Sequence, residues 1–201
     1  LQAQINPHFI YNTLNSVSCM ALLHQENEIS QVLGSLTKVI RYNLKKPDAI
    51  VHLEEELENI YSWCRIQECC YEQSIRFSYD IQVPADQIKI PKLIIQPLIE
   101  NAVVHGANFA GEDARICLHI WMEGKCVYVV VWDNGTDVDT DRINRLACGK
   151  GEVCSDSLGV RNVYERIRLR YGSAGQMRFE QDEEHHTLVQ IVIPAEMDQS
   201  L

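Results

Sequence analysis

The chain has 201 residues, 46% of them hydrophobic and 23% charged, with a formal net charge of −10 at pH 7. That composition supports one core of ordinary size plus a smaller appendage and excludes a disordered chain. It also excludes a broad nucleic-acid surface, which needs basic patches, so any phosphate bound here must be held by a local cluster.

No apolar run approaches the length of a membrane span, and no signal peptide is recognisable. The chain opens within a helical pattern, Leu1-Gln2-Ala3-Gln4, without an initiator Met, and reads as a fragment of a longer protein. Its eight cysteines (Cys19, Cys64, Cys69, Cys70, Cys117, Cys126, Cys148 and Cys154) form no CxxC pair and have no His at zinc-finger spacing. Idle thiols in a reducing cytoplasm are the expectation.

Residues 1–23 carry Leu1, Ile5, Phe9, Leu14, Val17 and Ala21 at helical spacing, with Pro7 as an interruption. His8 follows it in Gln4-Ile5-Asn6-Pro7-His8-Phe9-Ile10-Tyr11-Asn12-Thr13-Leu14-Asn15. A lone His is more often structural than chemical. The density of Asn and Gln around this one, unwelcome in a buried helix, keeps it as a candidate. After a polar break at 25–28, Ile29, Val32, Leu33, Leu36, Val39 and Ile40 predict a second helix to about Leu44. Two amphipathic helices on a short connection make an antiparallel hairpin, and pairing with a second copy into a four-helix bundle would bury its apolar face. Lys45-Lys46-Pro47-Asp48 marks the boundary, giving domains 1–47 and 48–201.

A third helix is predicted over Leu53–Tyr71, with Glu54, Glu55 and Glu56 favouring its N-terminus. Strands are predicted over Ile75–Gln82, Arg115–Met122, Cys126–Trp132 and Leu188–Ile193, and a further helix over Leu158–Tyr171. Helices and mostly antiparallel strands in this order predict an α+β fold, a sandwich with helices on one side of the sheet.

Between these lies Pro91 to Gly106, the stretch richest in chemistry. After Pro97 a helix carries Leu98, Ile99, Ala102 and Val103 on one side and Glu100, Asn101 and His105 on the other. Asn101 and His105 stand one turn apart. A carboxylate, an amide and an imidazole beside an apolar face can floor a nucleotide pocket, with the Asn oxygen on a hard cation such as Mg²⁺. An ordinary packed helix with a solvated polar side fits this stretch equally well. Further on, the strand ending at Trp132 runs into Asp133-Asn134-Gly135, a tight turn with an acid at the strand end. The Gly-, Ser- and Asp-rich stretch from there to Leu158 is long enough for a functional lid. Ser157-Leu158-Gly159-Val160-Arg161-Asn162 then opens a helix whose N–H groups can face an anion.

Together these residues resemble the LytS/YesM-type sensor histidine kinases over nearly the whole chain. Gln4 to Phe9 and on through Leu14-Asn15 is similar to that family's phosphoacceptor motif, and Leu53-Glu54-Glu55-Glu56-Leu57 to its next block. Ile95 to Ala102, then His105-Gly106, resembles its N box. Asp133-Asn134-Gly135 resembles its first glycine box, and Gly159-Val160-Arg161-Asn162-Val163 with Glu165-Arg166-Ile167 its second.

The resemblance implies a dimerising phosphoacceptor hairpin followed by a Bergerat (GHKL) ATP-binding domain. It implies ATP and Mg²⁺ as cofactors, autophosphorylation on His8, and a response-regulator aspartate as the phosphate's destination. By the same resemblance Asp133 takes the adenine amino group, Asn101 holds Mg²⁺, and Gly135, Gly159, Val160, Arg161, Asn162 and His105 complete the nucleotide site. The parent protein would be membrane-anchored, with this part in the cytoplasm. Phe9 stands where many histidine kinases carry an acid after the His, so Glu100 is the expected base. Asn12, one turn after His8, is expected to serve dephosphorylation of the partner.

The departures are specific. Asp137 and Ser157 replace glycines of the two boxes, Val104 replaces a basic residue, and Asp137, Asp139 and Asp141 add negative charge beside a polyanion site. Lys150, Arg161 and Arg166 are candidates to compensate. The competing expectations are therefore a degenerate core that dimerises and binds partners without turnover, and a plain ATPase of the same fold.

Overall fold

A computed structural model describes residues 7–71, 74–106, 114–135, 139–147 and 158–197, with the backbone alone at 7, 105, 106, 146 and 147. The chain divides into two compact units. One contains the N-terminal hairpin together with residues Leu57–Gln73; the other contains Ile50–Glu56 and the chain from Ser74.

In the first unit, α1 (Pro7–Leu23) and α2 (Asn27–Asn43) pair through a three-residue turn in which Gln25 takes φ +62°. Pro7, expected to interrupt a helix, is the first described residue of α1, and the chain before it lies outside the described residues. Hydroxyls of Ser18 and Ser30 meet at 2.8 Å, and the Arg41 guanidinium lies 5.6 Å from the Tyr11 ring. Val39 and Tyr42 are buried, whereas Phe9 (69% exposed) and Leu23 (83%) are not, nor are Val17, Met20, Leu22 and Ile29. In the same unit Arg65, on α3 (Leu53–Cys70), donates to the Gln31 side chain.

The second unit is the expected α+β arrangement, built on a five-stranded sheet. Its strands are β2 (Ile75–Ile81), β4 (Ala114–Glu123), β5 (Cys126–Asp133), β6 (Gln176–Gln181) and β7 (Thr187–Pro194), in the order β2-β4-β5-β7-β6. β2 and β4 run parallel and the other pairs antiparallel. Alternate residues Ile116, Leu118 and Ile120, then Val127, Val129 and Val131, then Val189, Ile191 and Ile193 are buried, which is the pattern of a sheet covered on one face. The covering helices are α4 (Gln96–Gly106), α5 (Thr140–Ala147) and α6 (Leu158–Tyr171), with Leu98, Ile99, Ala102 and Val103 of α4 and Val160, Val163 and Ile167 of α6 inward.

A second, three-stranded sheet has no counterpart among the predicted strands: β1 (Ile50–His52), β3 (Ile88–Pro91) and β8 (Glu196–Met197), ordered β1-β3-β8. Strands of two to four residues carry too little alternation to announce themselves. β6 and α5 are likewise additions to the predicted elements. The second lies inside the stretch expected to be a lid, and the rest of that stretch falls outside the described residues. Asp139 explains the helix: its Oδ1 accepts the Arg142 N–H at 2.8 Å, a side-chain cap. One of the acids expected to add charge beside the polyanion site is thus a helix start. Asn144 then clasps β6 in both senses, donating to the Phe179 carbonyl at 2.9 Å and accepting the Phe179 N–H at 2.8 Å.

Candidate functional site

The start of α4 is held by a buried acid. Glu56, fully buried near the start of α3, accepts the N–H groups of Leu93 (2.8 Å), Ile95 (3.1 Å) and, more weakly, Gln96 (3.4 Å). The Ile95 and Gln96 donors sit at the N-terminus of α4, where an anion is favoured by hydrogen bonding and by the helix dipole, and the Leu93 N–H belongs to the turn before it. Leu93 takes φ +58° to bring the chain into this turn. Arg166 of α6, expected to balance phosphate charge, instead donates Nη1 to the Lys92 carbonyl at 2.9 Å. The sequence places Glu56 among three acids at a helix start; only the fold separates it from Glu54, which is exposed.

Set by this anchor, α4 presents Glu100 and Asn101, both half-buried. Glu100 Oε1 accepts the Gln96 amide at 2.6 Å. Burial raises the Glu100 carboxyl above the ordinary range, against the opposing pull of that hydrogen bond. The Asn101 side-chain oxygen is a hard donor of the kind that suits Mg²⁺ sharing its shell with waters and phosphates. His105 belongs to α4, but its side chain lies outside the described residues.

Asp133 ends β5, opposite Ile116 of β4 and Thr187 of β7, and is only 6% exposed. The turn after it is fully bonded. Asn134 Oδ1 accepts the Arg115 N–H at 2.6 Å, and the Gly135 carbonyl accepts the Thr187 N–H at 3.1 Å. Asp133 Oδ1 accepts the Gly135 N–H at 2.9 Å, while Oδ2 has no hydrogen-bond partner among the described residues. Burial pushes this carboxyl up to about 7, with the Gly135 N–H and the charge of His186 pulling the other way.

α6 begins beside α4: a Cβ placed on Gly159 would lie 3.8 Å from Pro97 Cβ. Val160 turns its side chain into the core, so only its backbone can serve an anion. Arg161 pairs with Glu165 one turn on, at 2.8 Å, and Asn162 is exposed. Ser157, Lys150 and Asp137 fall outside the described residues. One unit therefore holds Glu100, Asn101, His105, Asp133, Gly135 and Gly159 to Asn162. His8 and Asn12 belong to the other, on exposed turns of α1, with the Asn12 amide 3.2 Å from His8 Nδ1. Among the described residues no three His, Cys, Asp or Glu side chains gather as a metal site, and no helix is long and apolar enough to cross a membrane.

The two-layer unit is the fold of histidine kinase catalytic domains. It matches the catalytic domain of histidine kinase ThkA with a TM-score of 0.56 at 18% identity, over 74% of this chain and 96% of that one. A structure of ThkA in complex with response regulator protein TrrA matches over 94% of this chain and 59% of that one, with a TM-score of 0.53 at 14% identity. The Histidine kinase family model matches residues 1–75. Sensor histidine kinase YesM of Bacillus subtilis is 34% identical over 96% of this chain, and sensor protein LytS of Streptococcus mutans 30% identical over 94%. Over most of its length the chain is similar to sensor histidine kinases of the LytS and YesM type. It spans about a third of the length of these relatives, 32% of each.

Proposed function

We propose that this chain is the kinase core of a two-component sensor: residues 1–47 dimerise and carry the phosphate on His8, and residues 48–201 bind ATP. The observation that carries the reading is Asp133, a buried carboxylate with one oxygen committed to Gly135 and the other without a partner among the described residues. Desolvation alone disfavours the charged carboxylate here, a donor to its second oxygen offsets that cost, and the adenine amino group is such a donor. Asn101 would hold Mg²⁺, which offsets charge on the phosphoryl oxygens when bound.

In the transfer a neutral ring nitrogen of His8 attacks the γ-phosphorus in line. The bond to the β,γ-bridging oxygen breaks, ADP leaves with the electron pair, and the ring proton passes to a base. Glu100 is assigned that role, since a carboxylate whose burial raises its proton affinity is a better acceptor near neutrality. The Asn12 amide nitrogen, 3.2 Å from His8 Nδ1 and one turn on, would serve dephosphorylation of the partner rather than the transfer itself. The exposed apolar side of the hairpin, including Phe9, Val17 and Leu23, fits a second copy of the chain. A response-regulator aspartate would then receive the phosphate, and the parent protein would be membrane-anchored with this part in the cytoplasm.

Radiolabelled ATP tests the reading. Acid-labile, base-stable label on the chain, lost in His8→Gln, supports it. ADP release without label makes the chain an ATPase, and neither outcome leaves a degenerate binding core, the reading favoured by Asp137 and Ser157.

A further inference from the structure

Gln96, the first residue of α4, is a polar side chain at a buried helix start, only 3% exposed. An amide is tolerated in such a place when its groups are bonded. Its Nε2 donates to Glu100 Oε1 at 2.6 Å, one turn further along the same helix. Its backbone N–H lies 3.4 Å from Glu56 Oε1, the oxygen that also accepts the Ile95 N–H at 3.1 Å. The buried acid of α3 thus fixes the root of Gln96, and the tip of Gln96 in turn holds the half-buried acid of α4. Glu100 Oε2 has no hydrogen-bond partner among the described residues.

An unrestrained glutamate spreads over several rotamers. One short bond to a single oxygen selects among them and leaves the lone pairs of the other oxygen to be used elsewhere. An N–H donor also favours the ionised carboxylate, the form in which a base can take a proton. Burial acts on Glu100 in the opposite sense and more strongly, so the Gln96 bond is what tempers the cost of keeping this acid charged.

We propose that Gln96 is a positioning residue for phosphoryl transfer: its amide holds Glu100 ionised and turned so that Oε2 receives the proton released by His8. This role rests on the reading of Glu100 as the base. Gln96 itself takes no part in holding nucleotide, so its loss acts on the transfer step, and acts through Glu100 alone.

The test is a double-mutant cycle on the full 201-residue chain, read as the maximal rate of His8 labelling by radiolabelled ATP and as the ATP concentration that gives half of it. Gln96→Met keeps the length of the side chain and removes the donor. It should lower the maximal rate about tenfold, as expected for one hydrogen bond to a charged group, and leave the half-saturating concentration within about twofold. In a Glu100→Gln background the same substitution should change the rate by less than about twofold, because the group it acts through is gone. Gln96→Asn carries an amide one methylene too short to reach Oε1. It should repeat the loss with less disturbance of the buried site, and the melting transition of each variant controls for folding. A Gln96 with a purely structural role would slow Glu100→Gln as much as it slows the parent, or would raise the ATP requirement. Either result, or an undiminished maximal rate, overturns the inference and leaves the base reading intact. A Glu100→Gln chain that labels as fast as the parent removes the base, and this inference with it. A folded parent chain that takes no label sinks the kinase reading and both of these together.

Discussion

Asp133→Asn should make the protein more stable and less able to bind nucleotide, by amounts that the burial of one carboxyl sets. The folded state raises this group from 3.8 to about 7, so it favours the protonated form. Below about pH 4 both folded and unfolded chains carry the proton and no cost arises. As the pH climbs to about 7 the unfolded chain releases it first, and stability is lost through that window. Above it the cost levels off at something on the order of 4 kcal/mol, the free-energy equivalent of the displacement. An amide at this position stays neutral throughout and can still accept the Gly135 N–H through its own oxygen.

Urea unfolding at about pH 4.5 and about pH 8.5, with equal slopes required, is the assay. The variant should gain about 2 to 4 kcal/mol over the parent at the higher pH and much less at the lower. ADP affinity should fall at least about tenfold in the same protein, because an amide nitrogen would face the adenine amino group and a buried donor would lose its acceptor. Parallel stability profiles for the two proteins would refute the electrostatic account of Asp133. Gained stability with undiminished ADP binding would refute its role as acceptor.

Glu56→Ala strands the Leu93 and Ile95 N–H groups at the start of α4 and should cost about 3 to 5 kcal/mol of unfolding free energy, read by urea titration. A loss under about 1 kcal/mol would mean that the turn finds other acceptors. Glu100→Gln should slow autophosphorylation at least about tenfold with ADP affinity retained; an unchanged rate removes Glu100 as the base. Asn12→Ala should reduce dephosphorylation of a phosphorylated regulator more than it reduces labelling of His8, and equal losses would show that its contact with the His8 ring serves both steps. Asn144→Ala removes both bonds to Phe179 and should destabilise the second unit by about 1 to 3 kcal/mol, seen as faster amide exchange in α5 and β6.

The long periodic elements are legible in the sequence. The buried alternation in β4, β5 and β7 and the apolar stripes of α4 and α6 fall where hydrophobic spacing puts them. What escapes has physical reasons. β1, β3 and β8 are too short for any period to register, and α5 begins at Asp139, whose cap bond to the Arg142 N–H cannot be told from surface charge in a run of aspartates. For the site, Asp133 can be named from its tripeptide, but nothing local states that the carboxyl is buried. That depends on β4 and β7, which flank it from other parts of the chain. Glu56 and Arg166 are alike in this respect. Each looks like a surface charge on a helix until the loop before α4, some 37 and 74 residues away in sequence, is seen to be its partner.

The strand order makes β2 and β6 the outer rims of the large sheet. Charged side chains stand on both: Arg76 and Asp80 on one, Arg178 paired with Glu180 at 3.0 Å on the other. Another strand arriving to extend the ladder would have to desolvate those groups while gaining few compensating contacts. Growth by edge addition is thereby discouraged at each margin of the five-stranded sheet.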